Sequence, residues 1–456
     1  MNNRLAYTRL AAGNGKLKTF RHVGGLHLRT YLLLPFFASS LLAAGQNTVT
    51  AFPNAQTQQT TQTKPPTSPK QLTSELRQQL DVDSEALAKI HVTPLIQPDP
   101  LHGLIQPINR FMDRMAQAER LKLGATYTLL NQYATITPDS VRHNQGSGRL
   151  DFTGAWSAFE HEGSAGSISL LVRSGTNIGI SQQFNLSDSL GSGLTLNCLQ
   201  GSGAQQPITL NILYWRQDML GRRLSFYLGK IHPNQYIALS MFNDDETSQF
   251  LNGANDGNAA IAYNGTYAGG AAVELQATPH LYIHAVAVDT EGAADRGLAT
   301  LVDRKYMEAV EVGWFSGSLG ERYQGFHIGM WRDDTKNLGS GYGGGFSAEH
   351  EFSSGWAPFI RYAVATDTGT SLKEVESFGL TQVHPFGRRG DMFGAAFNHS
   401  EPSTGKHHES VFESFYRLRL MQSMDLGPDI EVSIHPTYAT KAYTTTLLSA
   451  RMRIIF

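Results

Sequence analysis

The chain has 456 residues, a net charge of -2, 45 glycines, 10% aromatic residues and a single cysteine. Near-neutrality speaks against a nucleic-acid partner, which calls for a strongly basic surface. No apolar run reaches the roughly 20 residues of a helical membrane span, so any membrane crossing has to use strands. Cys198, being alone, can form no intrachain disulfide; a closed ladder of strands supplies stability without one.

At the N-terminus, Arg21 and Arg29 precede the apolar stretch Tyr31 to Ala44, followed by small and polar residues. This is the order of a secretory signal, taken as residues 1–45, with cleavage near Gly45 or Ala51. Gln46 to Lys70 is rich in Gln, Thr and Pro and reads as a flexible periplasmic linker. Two short helices are expected before Arg120. One covers Ser74 to Lys89. The other places Ile108, Phe111, Met112 and Met115 on one face. Residues 46–119 therefore form a linker with short periplasmic helices, and 120–456 form the main domain.

From about Arg120 the periodicity changes to two and keeps it to the end. In the last segment Thr446, Leu448, Ala450, Met452, Ile454 and Phe456 share one face, and Thr445, Ser449, Arg451 and Arg453 share the other. One face suits lipid and the other water, the alternation of a transmembrane barrel. Leu121 to Leu129 and Leu150 to Trp156 repeat it. So does Ile208 to Trp215, with Trp215 on the water face.

Strands are expected to begin near residues 120, 147, 163, 206, 222, 266, 280, 305, 322, 341, 355, 374, 390, 409, 427 and 443. Every second connection is short and carries Gly or Pro, as periplasmic turns should. The long polar connections, Thr176 to Gln205 and His232 to Gly265, fall on the other side. Ala259 to Tyr263 is left in a loop, because a strand there breaks both parity and alternation. The fold class is all-β: a transmembrane antiparallel barrel of about 16 strands, wide enough for an aqueous lumen.

Leu228-Gly229-Lys230-Ile231 leading into Asn234 to Asn252, Arg388-Arg389-Gly390-Asp391, and Glu409 to Pro436 (Glu413, Tyr416-Arg417, Leu426, Pro428-Asp429, His435-Pro436) resemble the carbohydrate-selective porin family, the OprB type. The resemblance implies a sixteen-stranded outer-membrane barrel of a Gram-negative bacterium. It also implies passive passage of monosaccharides and related solutes, with barrels that work singly rather than as trimers. Small sugars and outer-membrane lipid are the expected partners, and no cofactor is expected.

Strand parity points Arg361, Arg417, Arg419, Arg451, Arg453, Glu413 and Glu311 inward. Arginine's planar fork suits paired sugar hydroxyls and can be held by a neighbouring carboxylate. The plainer role is pairing within the wall. Trp215, Trp331 and Phe415 are candidates for stacking on sugar rings. Asp244, Asp245 and Glu246 lie in the third outward loop, which by analogy of architecture folds in and narrows the pore; the acidic run otherwise pairs with wall arginines or holds calcium. His399, His407 and His408 share an outward loop at a spacing that matches no metal motif. No G-x-S-x-G or H-E-x-x-H motif is present, so no catalysis is expected. A polysaccharide-export component and a barrel enzyme are the alternatives.

Overall fold

A computed structural model describes residues 92–178, 184–194, 196, 206–257, 260–261, 267–317, 322–335, 339–366, 372–404 and 407–456. The signal-like stretch, the linker, the helix expected over Ser74 to Lys89 and Cys198 lie outside them.

Sixteen strands form one closed antiparallel barrel. They are β1 (Leu121–Ala134), β2 (Asn144–His161), β3 (Ser164–Ile178), β4 (Gln206–Met219), β5 (Leu224–Ile231), β6 (Ala268–Gln276), β7 (Leu281–Asp289) and β8 (Tyr306–Ser316). The second half adds β9 (Gln324–Thr335), β10 (Gly339–His350), β11 (Trp356–Thr366), β12 (Leu372–Val383), β13 (Met392–Pro402), β14 (Glu409–Met421), β15 (Met424–Ile434) and β16 (Thr444–Ile455). Each start falls within three residues of the position read from periodicity. Each strand pairs with its sequence neighbours, and β1 closes on β16 from Thr126 opposite Ile455 to Ala134 opposite Leu447. β5 pairs directly with β6, so the ring has no further strand between them.

Burial alternates along the strands as the two-residue period requires. In β16, Thr445, Leu447, Ser449, Arg451 and Arg453 are buried, whereas Leu448 and Ala450 are exposed. The outer face carries exposed Phe326, Ile328, Met330, Phe378 and Leu448. In water such a belt is costly; in a bilayer it is matched, while the polar backbone is satisfied inside the ladder.

β4 breaks the pattern. Leu171 pairs with Ile212 and Val172 with Leu210, which leaves Asn211 as the extra residue of a bulge. A bulge shifts the alternation by one. Ile208 and Leu210 therefore face out, but Ile212 and Tyr214 are buried inside.

Before the barrel, residues 93–99 run along the periplasmic rim. Thr93 N–H donates to the Arg389 carbonyl (3.0 Å), and Leu95 N–H and Ile96 N–H donate to the carbonyls of Arg419 (3.1 Å) and Leu420 (2.8 Å). The Asp99 carboxylate accepts from Ser423 N–H and Oγ–H. Helix α1 (His102–Glu119) follows and stops at Arg120, whose left-handed φ of 54° turns the chain into β1. Its buried residues are Ile105 and Met112, two turns apart. Of the four residues read as one face, Met112 is buried and Met115 half-buried, whereas Ile108 and Phe111 remain exposed.

The outer face sets a first prediction. Leu448→Arg places a charge on the lipid side near mid-strand and should cost about 2–4 kcal/mol. Urea titration of refolding into vesicles measures the loss.

Candidate functional site

A sixteen-stranded ring is wider than its side chains can fill, and here two inward loops occupy much of the space. The first joins β3 to β4. Its short helix α2 (Leu186–Leu190) is capped by Asn185, whose side chain accepts from Ser187 N–H and Asp188 N–H. Leu186, Leu190, Leu194 and Leu196 are fully buried. Glu409 of β14 anchors this loop, accepting from Ser192 Oγ–H and Gly193 N–H, both at 2.7 Å.

The second inward loop is the long connection from β5 to β6. It crosses the lumen and is strapped to the wall by charged side chains from five strands. Three are carboxylates that accept loop backbone N–H groups. Glu311 takes Ala238 N–H, Glu349 takes Met241 N–H (3.1 Å) together with Ser240 Oγ–H (2.6 Å), and Glu413 takes Leu251 N–H and Asn252 N–H (3.2 Å). Two are guanidinium groups that donate to loop carbonyls. Arg361 reaches Asn255 (3.0 Å) and Ala238, and Arg451 reaches Glu246 and Gln249, both at 2.7 Å. Side-chain pairs add to this: Arg361 with Asp244 at 3.0 Å, and Arg149 of β2 with Glu246 at 2.5 Å. Hydrogen bonds to charged groups contribute about 1.5–3 kcal/mol each, so together they hold the loop against the wall. Apolar contacts fill the gaps, with Phe250 edge-on to Phe415 at 4.8 Å.

The acidic run of the loop is thereby divided among three tasks. Asp244 is nearly enclosed, and burial pushes its carboxyl up to about 6 against the pull of Arg361. Asp245 is equally enclosed, but Arg453 and the hydroxyls of Ser248 and Thr247 outweigh burial and hold it down at about 2. Glu246 is spent on Arg149.

Arg361, Glu311, Glu413, Arg419 and Arg451 are buried on the inner wall, and Arg417 is partly buried beside them. Trp215 does not join them. The bulge at Asn211 turns it to the outer face, where it packs with Phe159 at 6.1 Å. Trp331 and Phe415 are buried on the inner wall. His399 lies between buried Asn398 and Ser400, so it faces out, and it hydrogen-bonds Ser410 at 2.8 Å.

Glu349, His327 and Tyr282 were missed. Tyr282 Oη–H donates to Glu311 at 2.8 Å and also meets His327 Nδ1. A small cavity lies between the loop and β8 to β11, bordered by Ile237, Ile261, Glu311, His327, Trp331, Ser347 and Arg361. Trp331 Nε1 and Ser347 Oγ are buried without a hydrogen-bond partner among the described residues, and His327 Nε2 stands 3.8 Å from Glu349.

The raised Asp244 carboxyl makes attachment of the loop pH-dependent. The attached loop binds the proton more tightly than a released one, so its advantage is complete below about pH 4 and fades as pH rises through 6. After correction for the intrinsic pH dependence of amide exchange, protection of residues 238–257 should be greater at pH 5 than at pH 7, and Asp244→Asn should flatten that difference.

A family model described as carbohydrate-selective porin, OprB family, matches residues 173–314 and 332–456. Among solved structures, the high-pH form of Pseudomonas putida OprB is 12% identical, with a TM-score of 0.64 over 76% of this chain and 97% of that one. A mutant of the Rh. blastica porin is 9% identical, with a TM-score of 0.45 over 74% of this chain and 100% of that one. No curated protein sequence matches. The Pseudomonas likeness supports the fold, and the family model covers more than half of the sequence, including the inward loop and its anchors on β8, β11, β14 and β16: the chain belongs to the carbohydrate-selective porin family, a family of outer-membrane channels.

Proposed function

We propose that this outer-membrane carbohydrate channel passes monosaccharides and similarly small polar solutes by passive diffusion, each barrel acting alone and without catalysis. The observation that carries this reading is the third loop, strapped across the lumen by Glu311, Glu349, Glu413, Arg361 and Arg451, which narrows a sixteen-stranded ring to a passage for small solutes. The strapped loop sets an upper limit on solute size.

Liposome swelling with a panel of sugars tests the size limit. Hexoses should enter faster than disaccharides, and Arg361→Ala, which frees Asn255, Ala238 and Asp244 together, should narrow that gap. Equal rates for hexoses and disaccharides in the wild type sink the reading. Deleting residues 46–91 distinguishes a channel from an exporter that needs a periplasmic partner: swelling should be unchanged.

A further inference from the structure

On the inner face of β9 a histidine lies between two glycines, Gly325 and Gly329, with outward Phe326 and Ile328 in between. Register sets Gly325 opposite Glu349 of β10 and Gly329 opposite Glu311 of β8. The room above each glycine is taken by the acid across from it. A methyl group built on Gly325 comes to 3.1 Å from Glu349 Oε1 and to 2.8 Å from both Tyr323 Oη and His327 Nε2. One built on Gly329 comes to 3.7 Å from Glu311 Oε2. Both carboxylates therefore lean toward the imidazole between them. His327 Nδ1 stands 3.7 Å from Glu311, and its Nε2 stands 3.8 Å from Glu349.

Hydrogen bonding fixes the protons of the ring. The Tyr282 hydroxyl gives its proton to Glu311, so His327 Nδ1, which meets the same oxygen, has to donate to it. Nε2 faces Glu349, and an ionised carboxylate only accepts. A ring placed to donate from both nitrogens is an imidazolium.

Charge gives the same answer. The ionised groups that face the ring are Glu311 and Glu349. Arg361 borders the same cavity but is paired with Asp244 at 3.0 Å. His284 of β7 is turned to the Tyr236 carbonyl at 3.2 Å, and Glu351, on Tyr323 N–H at 3.2 Å, adds one more acid. Two buried carboxylates in one site repel each other unless a cation stands between them. These two are also fasteners: Glu311 holds Ala238 N–H, and Glu349 holds Ser240 and Met241.

We propose that His327 is a positioning residue for the third loop. As an imidazolium shared by Glu311 and Glu349, it lets both carboxylates stay ionised, holds residues 238–241 against the wall and so sets the width of the passage. The effect on solutes rests on the carbohydrate-channel reading; the effect on the loop does not.

The test uses the full chain at a fixed pH of 7. In nitrogen NMR of histidine-labelled protein, the signal lost in His327→Gln should show a proton on both ring nitrogens in the wild type. Amide protection of residues 238–241 should fall on the order of tenfold in His327→Gln, the worth of one hydrogen bond to a charged group. Adding Glu349→Gln to that variant removes one charge but keeps an acceptor for Met241 N–H. It should return part of the protection, a recovery that a ring serving only to fill space does not give. In liposome swelling, His327→Gln should lose most of the preference for hexoses over disaccharides. Heat-modifiable gel mobility checks that each variant is folded. A neutral His327 ring in the wild type overturns the proposal. So does equal protection in wild type and His327→Gln, or a double variant no better protected than the single one. Lost protection with unchanged sugar preference overturns the role in setting the width. If the wild type admits hexoses and disaccharides equally while protection still depends on His327, the size-limit reading falls and the counter-charge stands.

Discussion

A strand in hydrocarbon has nowhere to send its backbone N–H and C=O groups except to another strand. That requirement closes β1 on β16. It also fixes which side chains face lipid, because once the ring is shut every second residue must point into it. The apolar belt, the charged inner wall and the placement of both loops follow from this one geometric demand.

Closure creates a second problem, since a ring of sixteen strands is too wide to act as a filter. The chain narrows it with loops, and loops need holding. Acids on the wall take N–H groups, and arginines take carbonyl groups and the loop's own acids. The same charged residues that a sequence reader assigns to solute thus serve largely as fasteners.

The strand series was legible in the sequence because apolar and polar residues alternate cleanly in segments such as Thr445 to Ile454. It failed where the alternation itself is altered. Asn211 inserts one residue, so Trp215 was read on the wrong face. β10 is mostly glycine before Phe346 and shows no apolar face, which hid Glu349. The inward fold of the loop between β3 and β4 left no trace in period two, because its leucines read as an irregular polar connection. For α1, the apolar group picked out by periodicity contains buried Met112 but begins three residues after Ile105, the other residue that packs. The carboxylates that fasten the third loop lie far from it in sequence, and only the closed ring brings them to it.

The run from Thr93 to Asp99 hydrogen-bonds the turn after β12, the end of β14 and the turn that follows it, and α1 then leads directly into β1. The beginning of the described chain is therefore tied to the strands that are made last. Joining the two ends of a long polymer is opposed by the entropy of closing the loop between them, a penalty that grows only slowly with length but is large at the outset. A peptide hook that already grips the late hairpins holds the first and last strands close together. Zipping β1 to β16 then becomes a local event, and the barrel shuts like a clasp whose tongue is already threaded.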